Sequence, residues 1–577
     1  MSEERFPEMS PSIQPSNPAE EAASEERAIL RLASKLLEQI FKETTHGSSL
    51  LEDWDRPSHI VTDEARRRHQ MDDLSWLYIT HVCRRWRSVA LKCPSLWRKM
   101  RFGHPDMVQA VIDRSDQETL AIEWDDHDGY FQDKLDADLL FTAMRHVHRV
   151  ATLSICAPHK QLTSYISLLR HSVSLERLTH LRVASQALLA TQPISDTLPY
   201  APALHNFRSD KYILSWLSPV FRSNTLVELR VGIIPRTATN VEQMFTALRN
   251  LPTLELLSLN MESIYEDSWP SSDTDLPFSP SIKDLETIRL DQLCVLRFAG
   301  TMDDCAGMVD RFTLPSGAYL YLHAYQSFET RTAGPLISDH GIGEALAHHF
   351  ERQGAVAHFA GVRYLCGEGF RMDVTSQYTD EYSEKGAGSG GPASLMKMMQ
   401  GGGMGPLVSV MMFNGRNSLA SQVTSTGQVV TGLCMALPLL DVTTVVLEIY
   451  DFGLGTDWWA NMSRCMSALE TVIIKDLTAS GDGATLDIFL QQLAKGTGED
   501  DPDRTSFFPT LQRLVLESNN IISLEPTYTL LVAQLLQRKK QGKDLQSLKL
   551  SEPVTDEQLV ELQKYAGEVD AGQTVSK

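Results

Sequence analysis

The residues in this chain whose types could do chemistry are scattered, and their spacing excludes most of the reactions they suggest. Gly386, Gly388 and Gly391 spell G-x-G-x-x-G. A dinucleotide site needs a strand before those glycines and a helix after them, because the motif brings phosphate onto a helix N-terminus. Here acidic, polar sequence precedes the motif, and Gly390, Gly391 and Pro392 stand where the helix should begin, so a linker is the expected reading. His348-His349 with His358 could suggest a metal. Adjacent histidines on a helix point to different sides, however, and no acidic partner is suitably spaced. The stretch EWDDHDGYFQDKLDAD (residues 123–138) is as acidic as a calcium loop but lacks its Asp/Asn alternation and terminal Glu. There is no G-x-x-x-x-G-K-[ST], no H-E-x-x-H and no complete G-x-S-x-G. The eight cysteines form no C-x-x-C pair, which indicates neither a zinc site nor a disulfide framework. No cofactor, metal or catalytic group is expected, and the chain is read as a binding protein rather than an enzyme.

What remains is the chemistry of contact. YITHVCRRWRSVALKCPSLWRKM, residues 78–100, carries Arg84, Arg85, Arg87 and Arg98, which suit phosphate, and Trp86 and Trp97, which suit a protein surface. A formal net charge of -21 argues against a general nucleic-acid binder, which needs a broad basic surface to displace counterions. Arg538-Lys539-Lys540 with Lys543 is either a nuclear import signal or a helix C-terminus, where cations offset the dipole.

The elements that must position these residues follow from periodicity. The first sixteen residues are rich in Pro, Ser and Glu and are expected to be disordered. Asn17-Pro18-Ala19-Glu20 supplies a helix start, and the helix carries Ile29, Leu32, Ala33, Leu36, Leu37, Ile40 and Phe41 as one apolar stripe. Residues 42–73 mix Gly, Ser, Pro and charge and read as a long loop. A second helix resumes at Leu74 with Ile79, Val82, Cys83, Trp86, Val89 and Ala90 on one face, and Pro94 ends it. These two helices form a small module over residues 17–100.

The N-terminus offers no apolar stretch that could serve as a signal peptide. The most apolar run, LCMALPLLDVTTVVLEIY, is interrupted by Pro438 and Asp441 too early to span a bilayer. A reducing compartment, cytoplasmic or nuclear, is expected, without membrane association.

Beyond the module, Leu-x-x-apolar-x-apolar recurs. It appears as Leu178-Leu181-Val183, Leu226-Leu229-Val231, Leu254-Leu257-Leu259, Leu285-Ile288-Leu290, Leu293-Leu296-Phe298, Leu469-Val472-Ile474, Leu511-Leu514-Leu516 and Leu545-Leu548-Leu550. Alternating apolar positions make a short strand with one buried face, and helical stretches such as VEQMFTALRNLP and LDIFLQQLAKG lie between the phrases. The expected fold class is α/β. The helical module is followed over residues 101–577 by an irregular leucine-rich-repeat-like solenoid, with parallel strands alternating with helices. Residues 305–445 depart furthest from the pattern, although AYLYLHAY, VRYLCGEGFRMDV and LVSVMMF could be strands. The Gly-rich stretch at 380–405 is expected to be a flexible insertion.

The module resembles the F-box. LASKLLEQIF, residues 32–41, is similar to that motif's first half, with Leu32, Leu36, Leu37, Ile40 and Phe41 at its apolar positions. VCRRWRSVALKCPSLW is similar to its second half. The likeness is to the F-box-like proteins of mushroom-forming fungi, and it continues through VIDRSDQETLAIEW at residues 111–124. Ala33 stands where Pro is usual and Lys35 where Glu is usual. The resemblance implies that the module docks a Skp-family adaptor through Leu32, Leu36, Leu37, Ile40, Phe41, Val82, Trp86 and Trp97. Through that adaptor it would join a cullin-based SCF ubiquitin ligase, with the repeats capturing a substrate protein. A stand-alone repeat scaffold is the alternative.

Overall fold

The computed structural model describes residues 33–46, 75–100, 102, 105–125, 134–171, 175–185, 198–210, 212, 215–232, 234, 238–261, 285–315, 318–325, 341–353, 361–366, 369–375, 408–413, 433–435, 437, 439–449, 456–476, 484–493, 508–518 and 525–572. The chain divides into two compact units, one ending at Ala121 and one beginning at Ile122. The expected helix start at Asn17, the loop from 47 to 73 and the Gly-rich stretch at 380–405 lie outside the described residues.

In the first unit, α1 spans Ser34–His46. It therefore runs five residues past Phe41, into what the sequence reads as loop. The second expected helix is two. A 3-10 turn at Ser75–Tyr78 leads into α2, Ile79–Val82, and the chain then breaks before α3, Arg84–Leu91. The break is at Cys83, whose backbone is extended at φ -158° and ψ 170°. Its sulfur accepts the Trp86 N–H at 3.4 Å, so a thiol does the capping usually left to a hydroxyl or carboxylate. A 3-10 turn at Pro94–Trp97 precedes β1, Lys99–Met100, and α4, Pro105–Arg114, follows.

The second unit is mixed α/β, built on a long and mainly parallel sheet. Its strands are β2 (Leu120–Asp125), β3 (Val150–Ala157), β4 (His180–Ser185), β5 (Asn206–Asp210), β6 (Glu228–Val231), β7 (Leu256–Asn260), β9 (Val295–Thr301) and β11 (Tyr319–Tyr325). After them come β12 (Gly361–Cys366), β13 (Gly369–Thr375), β14 (Val408–Phe413), β15 (Thr444–Ile449), β16 (Thr471–Asp476), β17 (Arg513–Ser518), β18 (Leu545–Pro553) and β19 (Ala566–Gly572). From β3 to β7, on through β9 to β11, and again from β15 to β19, each strand pairs in parallel with the next. Helices such as Ala238–Arg249 and Ala484–Leu493 connect successive strands, as parallel pairing requires.

The recurring phrase has a physical basis longer than the one read from sequence. The N–H groups of Leu178, Leu204, Leu226, Leu254, Leu293, Val442, Leu469 and Leu511 each bond the carbonyl three residues earlier, at 3.1–3.4 Å. The residues supplying those carbonyls, among them Leu175, Leu251, Met466 and Phe508, are buried as well. Most units therefore read apolar-x-x-Leu-x-x-apolar-x-apolar, a closed turn feeding a strand, with Ser223, Ser209 and Val442 as the departures. Burying one such leucine is worth about 1.5–3 kcal/mol, and a one-residue slip would turn the whole set to solvent, so the register is strongly specified. Threonines staple successive turns together. Thr225 donates to the Pro202 and Leu204 carbonyls, Thr253 to Asn224 and Leu226, and Thr510 to Ser467 and Leu469, at 2.7–3.1 Å.

Two expectations need correction. The phrase Leu285-Ile288-Leu290 is not a rung of the main sheet. Its β8, Ile288–Arg289, pairs with β10, Phe312–Thr313, in a separate two-stranded sheet, and Leu285 is only half-buried. Leu290 instead closes the turn that begins the next phrase, at Leu293. The second correction is that the strands are not all parallel. β12, β13 and β14 stand in the order β14-β13-β12 between β11 and β15, with β13 antiparallel to both neighbours. Because Val374 pairs with Val408, the chain leaves β13 and re-enters at β14 side by side. In sequence the Gly-rich stretch lies between those two strands. The basic cluster closes the helix Glu525–Lys540, where buried Arg538 donates to the carbonyls of Phe508, Leu511 and Lys543. The geometry fits the helix-terminus reading.

Candidate functional site

The residues singled out in the first unit fall into two groups. Leu37 and Phe41, four apart on α1, are fully buried. The Phe41 ring meets Trp86 edge to face, with centroids 5.4 Å apart. Trp97 is buried too. Its indole N–H donates to the Ala90 carbonyl at 3.3 Å, and the Arg114 guanidinium lies 4.4 Å above its ring. These four side chains hold the unit together, with Trp86 only half-buried.

The other group faces solvent. Leu36 is 45% exposed and Ile40 36%, four apart on α1, while Val82 is 57% exposed on α2. Tyr78, at 70%, joins them on the unit's surface and was not singled out in the sequence. Its signal was available, since it stands four residues before Val82 on the same helical period. Leu32 lies outside the described residues. The backbone N–H groups of Leu36 and Leu37 both bond the Ala33 carbonyl, so Ala33 opens the helix.

The arginines divide in the same way. Arg87 donates to the Thr80 carbonyl at 2.8 Å, bridging the break at Cys83. Arg98 donates to the Thr119 carbonyl and hydroxyl, at 3.2 and 2.7 Å. These two arginines serve the fold. Arg84 and Arg85 are exposed at the start of α3.

A second feature, missed in the sequence, lies on the face of the long sheet opposite the leucines. Register aligns Arg182 of β4 with Arg208 of β5 and Arg230 of β6, then with Ser258 of β7 and Arg297 of β9. Asp210 accepts from Arg182 at 3.2 Å and from Arg208 at 2.8 Å, while Glu228 pairs with Arg230 and accepts from Asn206 at 2.8 Å. Burial alone would raise the Asp210 carboxyl, but Arg208 and Arg182 outweigh it and hold its pKa below the ordinary value. Burial, and then Arg297, pushes His323 down to about 4. The sequence signal was an arginine set between the two buried positions of a strand, in HLRVA, NFRSD, ELRVG and VLRFA.

His349 is buried, while its neighbour His348 is exposed near Asp310. His358 lies outside the described residues. Among the described residues, no cluster of three or more His, Cys, Asp or Glu is placed to hold a metal ion, and no helix is long and apolar enough to cross a membrane. No protein-family model and no curated protein matches the chain. Fold and surface together define a mixed α/β protein with a separate helical unit that leaves apolar side chains in water.

Proposed function

We propose that the chain is the substrate-receptor subunit of an SCF-type, cullin-based ubiquitin ligase. The helical unit is an F-box docking a Skp-family adaptor, and the parallel ladder is an irregular leucine-rich-repeat domain that captures a substrate protein. The observation that carries this reading is the division of labour in the first unit. Its core closes on Leu37, Phe41, Trp86 and Trp97, yet Leu36, Ile40, Tyr78 and Val82 stay exposed. Large apolar residues left exposed on a small unit are what interface anchors look like. Arg84 and Arg85 supply a basic rim for an acidic partner. The resemblance of residues 32–41 and 82–97 to the F-box halves is the reason for naming a Skp-family adaptor as that partner.

On this reading the chain contributes no reacting group. It lowers the entropic cost of bringing a substrate to chemistry performed elsewhere in the assembly. Affinity capture of the tagged full chain from cells should recover a Skp-family adaptor and a cullin together. Capture of neither by a folded chain would favour the stand-alone scaffold.

A further inference from the structure

The arginine row is not needed to build the ladder. Strand pairing comes from the backbone, and the leucine core lies on the opposite face; on the arginine face Leu256, Val295 and Tyr319 form a further buried cluster, beside which Ser258 serves at the same position as an arginine does. Four arginines in five successive rungs, in a chain of net charge -21, therefore point outward to a ligand. Between β4 and β9 that face also carries Asp210 and Glu228, which leaves a net excess of positive charge. His180 adds none at neutral pH, because burial and then His205 lower its pKa. Arg208 is buried and the side chains of Arg182 and Arg230 mostly so, held in place by the salt bridges to Asp210 and Glu228, while Arg297 is partly buried. Arg297 lies 5.0 Å over the Tyr321 ring, which fixes the far end of the row.

We propose that this row, Arg182, Arg208, Arg230 and Arg297, binds an extended, Asp- and Glu-rich segment of a partner protein laid across the strands. This deepens the ubiquitin-ligase reading by naming the substrate class, and in that respect rests on it. Adjacent strands lie about 4.8 Å apart, so four steps from Arg182 to Arg297 cover about 19 Å, the length of about six extended residues. Guanidinium groups recognise carboxylates through paired N–H donors, which gives the row geometric selectivity as well as charge. Nucleic acid fits less well. A phosphate backbone needs many uninterrupted cations, and Asp210 and Glu228 interrupt these, whereas a peptide can place small residues opposite them.

The test uses the full chain and a fluorescent peptide of about eight alternating Asp and Glu residues, long enough to cover the row. The wild-type chain should bind it saturably and lose affinity as salt rises, and a neutral Ser-Gly peptide of equal length should not bind. Arg182→Gln with Arg297→Gln should weaken binding at least about tenfold, with unchanged circular dichroism and melting. Arg297→Lys alone, which keeps the charge but loses the paired donors, should weaken binding less than Arg297→Gln alone. Lys549→Gln, at the opposite end of the ladder, should leave binding unchanged. Should the double substitution unfold the chain, Arg297→Gln alone, which leaves the ion pairs of Asp210 and Glu228 intact, should still weaken binding several-fold, and equal binding by that folded variant would overturn the proposal. No binding by the wild-type chain, equal binding by a folded double variant, or tighter binding of a single-stranded RNA of matched charge would overturn the proposal. Adaptor binding measured on the same variants separates the two claims. Peptide binding lost with adaptor binding kept supports the row as a distinct surface. An absence of adaptor binding in the wild-type chain removes the ligase role without touching the arginine site.

Discussion

The two units bury their apolar residues in different ways. The helical unit hides Trp97 and Phe41 and exposes Leu36, Ile40 and Val82. The ladder hides its leucines on one face and carries ion-paired, largely buried arginines on the other. The difference comes from how each buries its apolar residues. A ladder rung has two faces and alternating residues, so one face can be wholly apolar and the other is left for recognition. Two or three short helices cannot close around a full apolar stripe, and part of that stripe stays wet. The ladder's outward face itself changes along its length. Val446, Ile473 and Val515 form a buried apolar column on rungs β15, β16 and β17, at the register where Arg182 and Arg208 stand near the other end.

The contrast can be broken most forcefully from inside. Phe41→Ala should cost the helical unit about 3–5 kcal/mol, read as a lower urea midpoint by tryptophan emission, while the ladder's circular dichroism persists. A loss of both together would show that the units do not fold apart.

Acid should act on the ladder. His349 is held at about 4, first by burial and then by Arg352. Between pH 6.5 and about 4, the unfolded chain takes up a proton that the folded chain declines. Stability should therefore fall with falling pH, by at most about 1.4 kcal/mol per pH unit for that group. His349→Gln should flatten this slope in thermal melts. Asp210 acts in a lower window. Its pKa is depressed, so its contribution is present above the unfolded value and disappears as pH falls through the folded one.

Smaller effects test the repeat itself. Thr225→Val removes one staple between turns and should cost about 1 kcal/mol by denaturant titration. Deleting residues 380–405 should change stability least of all. The strands on either side, β13 and β14, already pair end to end through Val374 and Val408, and the longer loop adds little closure entropy. A large loss on deletion would show that the segment is packed.

Much of the ladder was legible because burial imposes a period. Leu226, Leu254, Leu469 and Leu511 are placed by the same turn and reveal themselves by spacing. Leu204 and Val442 occupy the same position without standing out, because Leu204 is followed by Phe207 and the polar Ser209, and the other phrase begins with valine rather than leucine. Leu285 misled because the phrase does not distinguish a rung from a side sheet; that depends on β10, distant in sequence. The reversal of β13 follows from pairing partners, which local composition does not encode. In the helical unit the apolar stripe was visible, but the break at Cys83 was not. A thiol is a weak acceptor and gives no strong capping signal. Which side of the stripe faces inward depended on where Trp86 sits, and that is a tertiary fact.

The exposed side of that stripe carries the central claim, and Leu36 and Ile40 are its least intrusive handles because neither belongs to the core. Leu36→Ala with Leu37→Ala would confuse the issue, since Leu37 is buried and its loss destabilises the unit. The direct measurement is calorimetric binding of the purified full chain to a purified Skp-family adaptor, with and without Leu36→Ala and Ile40→Ala together. Truncating interface anchors costs about 2 kcal/mol or more, so the double variant should bind at least about thirtyfold more weakly while melting at the wild-type temperature. A folded wild-type chain that does not bind the adaptor, or a double variant that binds it just as tightly, would contradict the assignment.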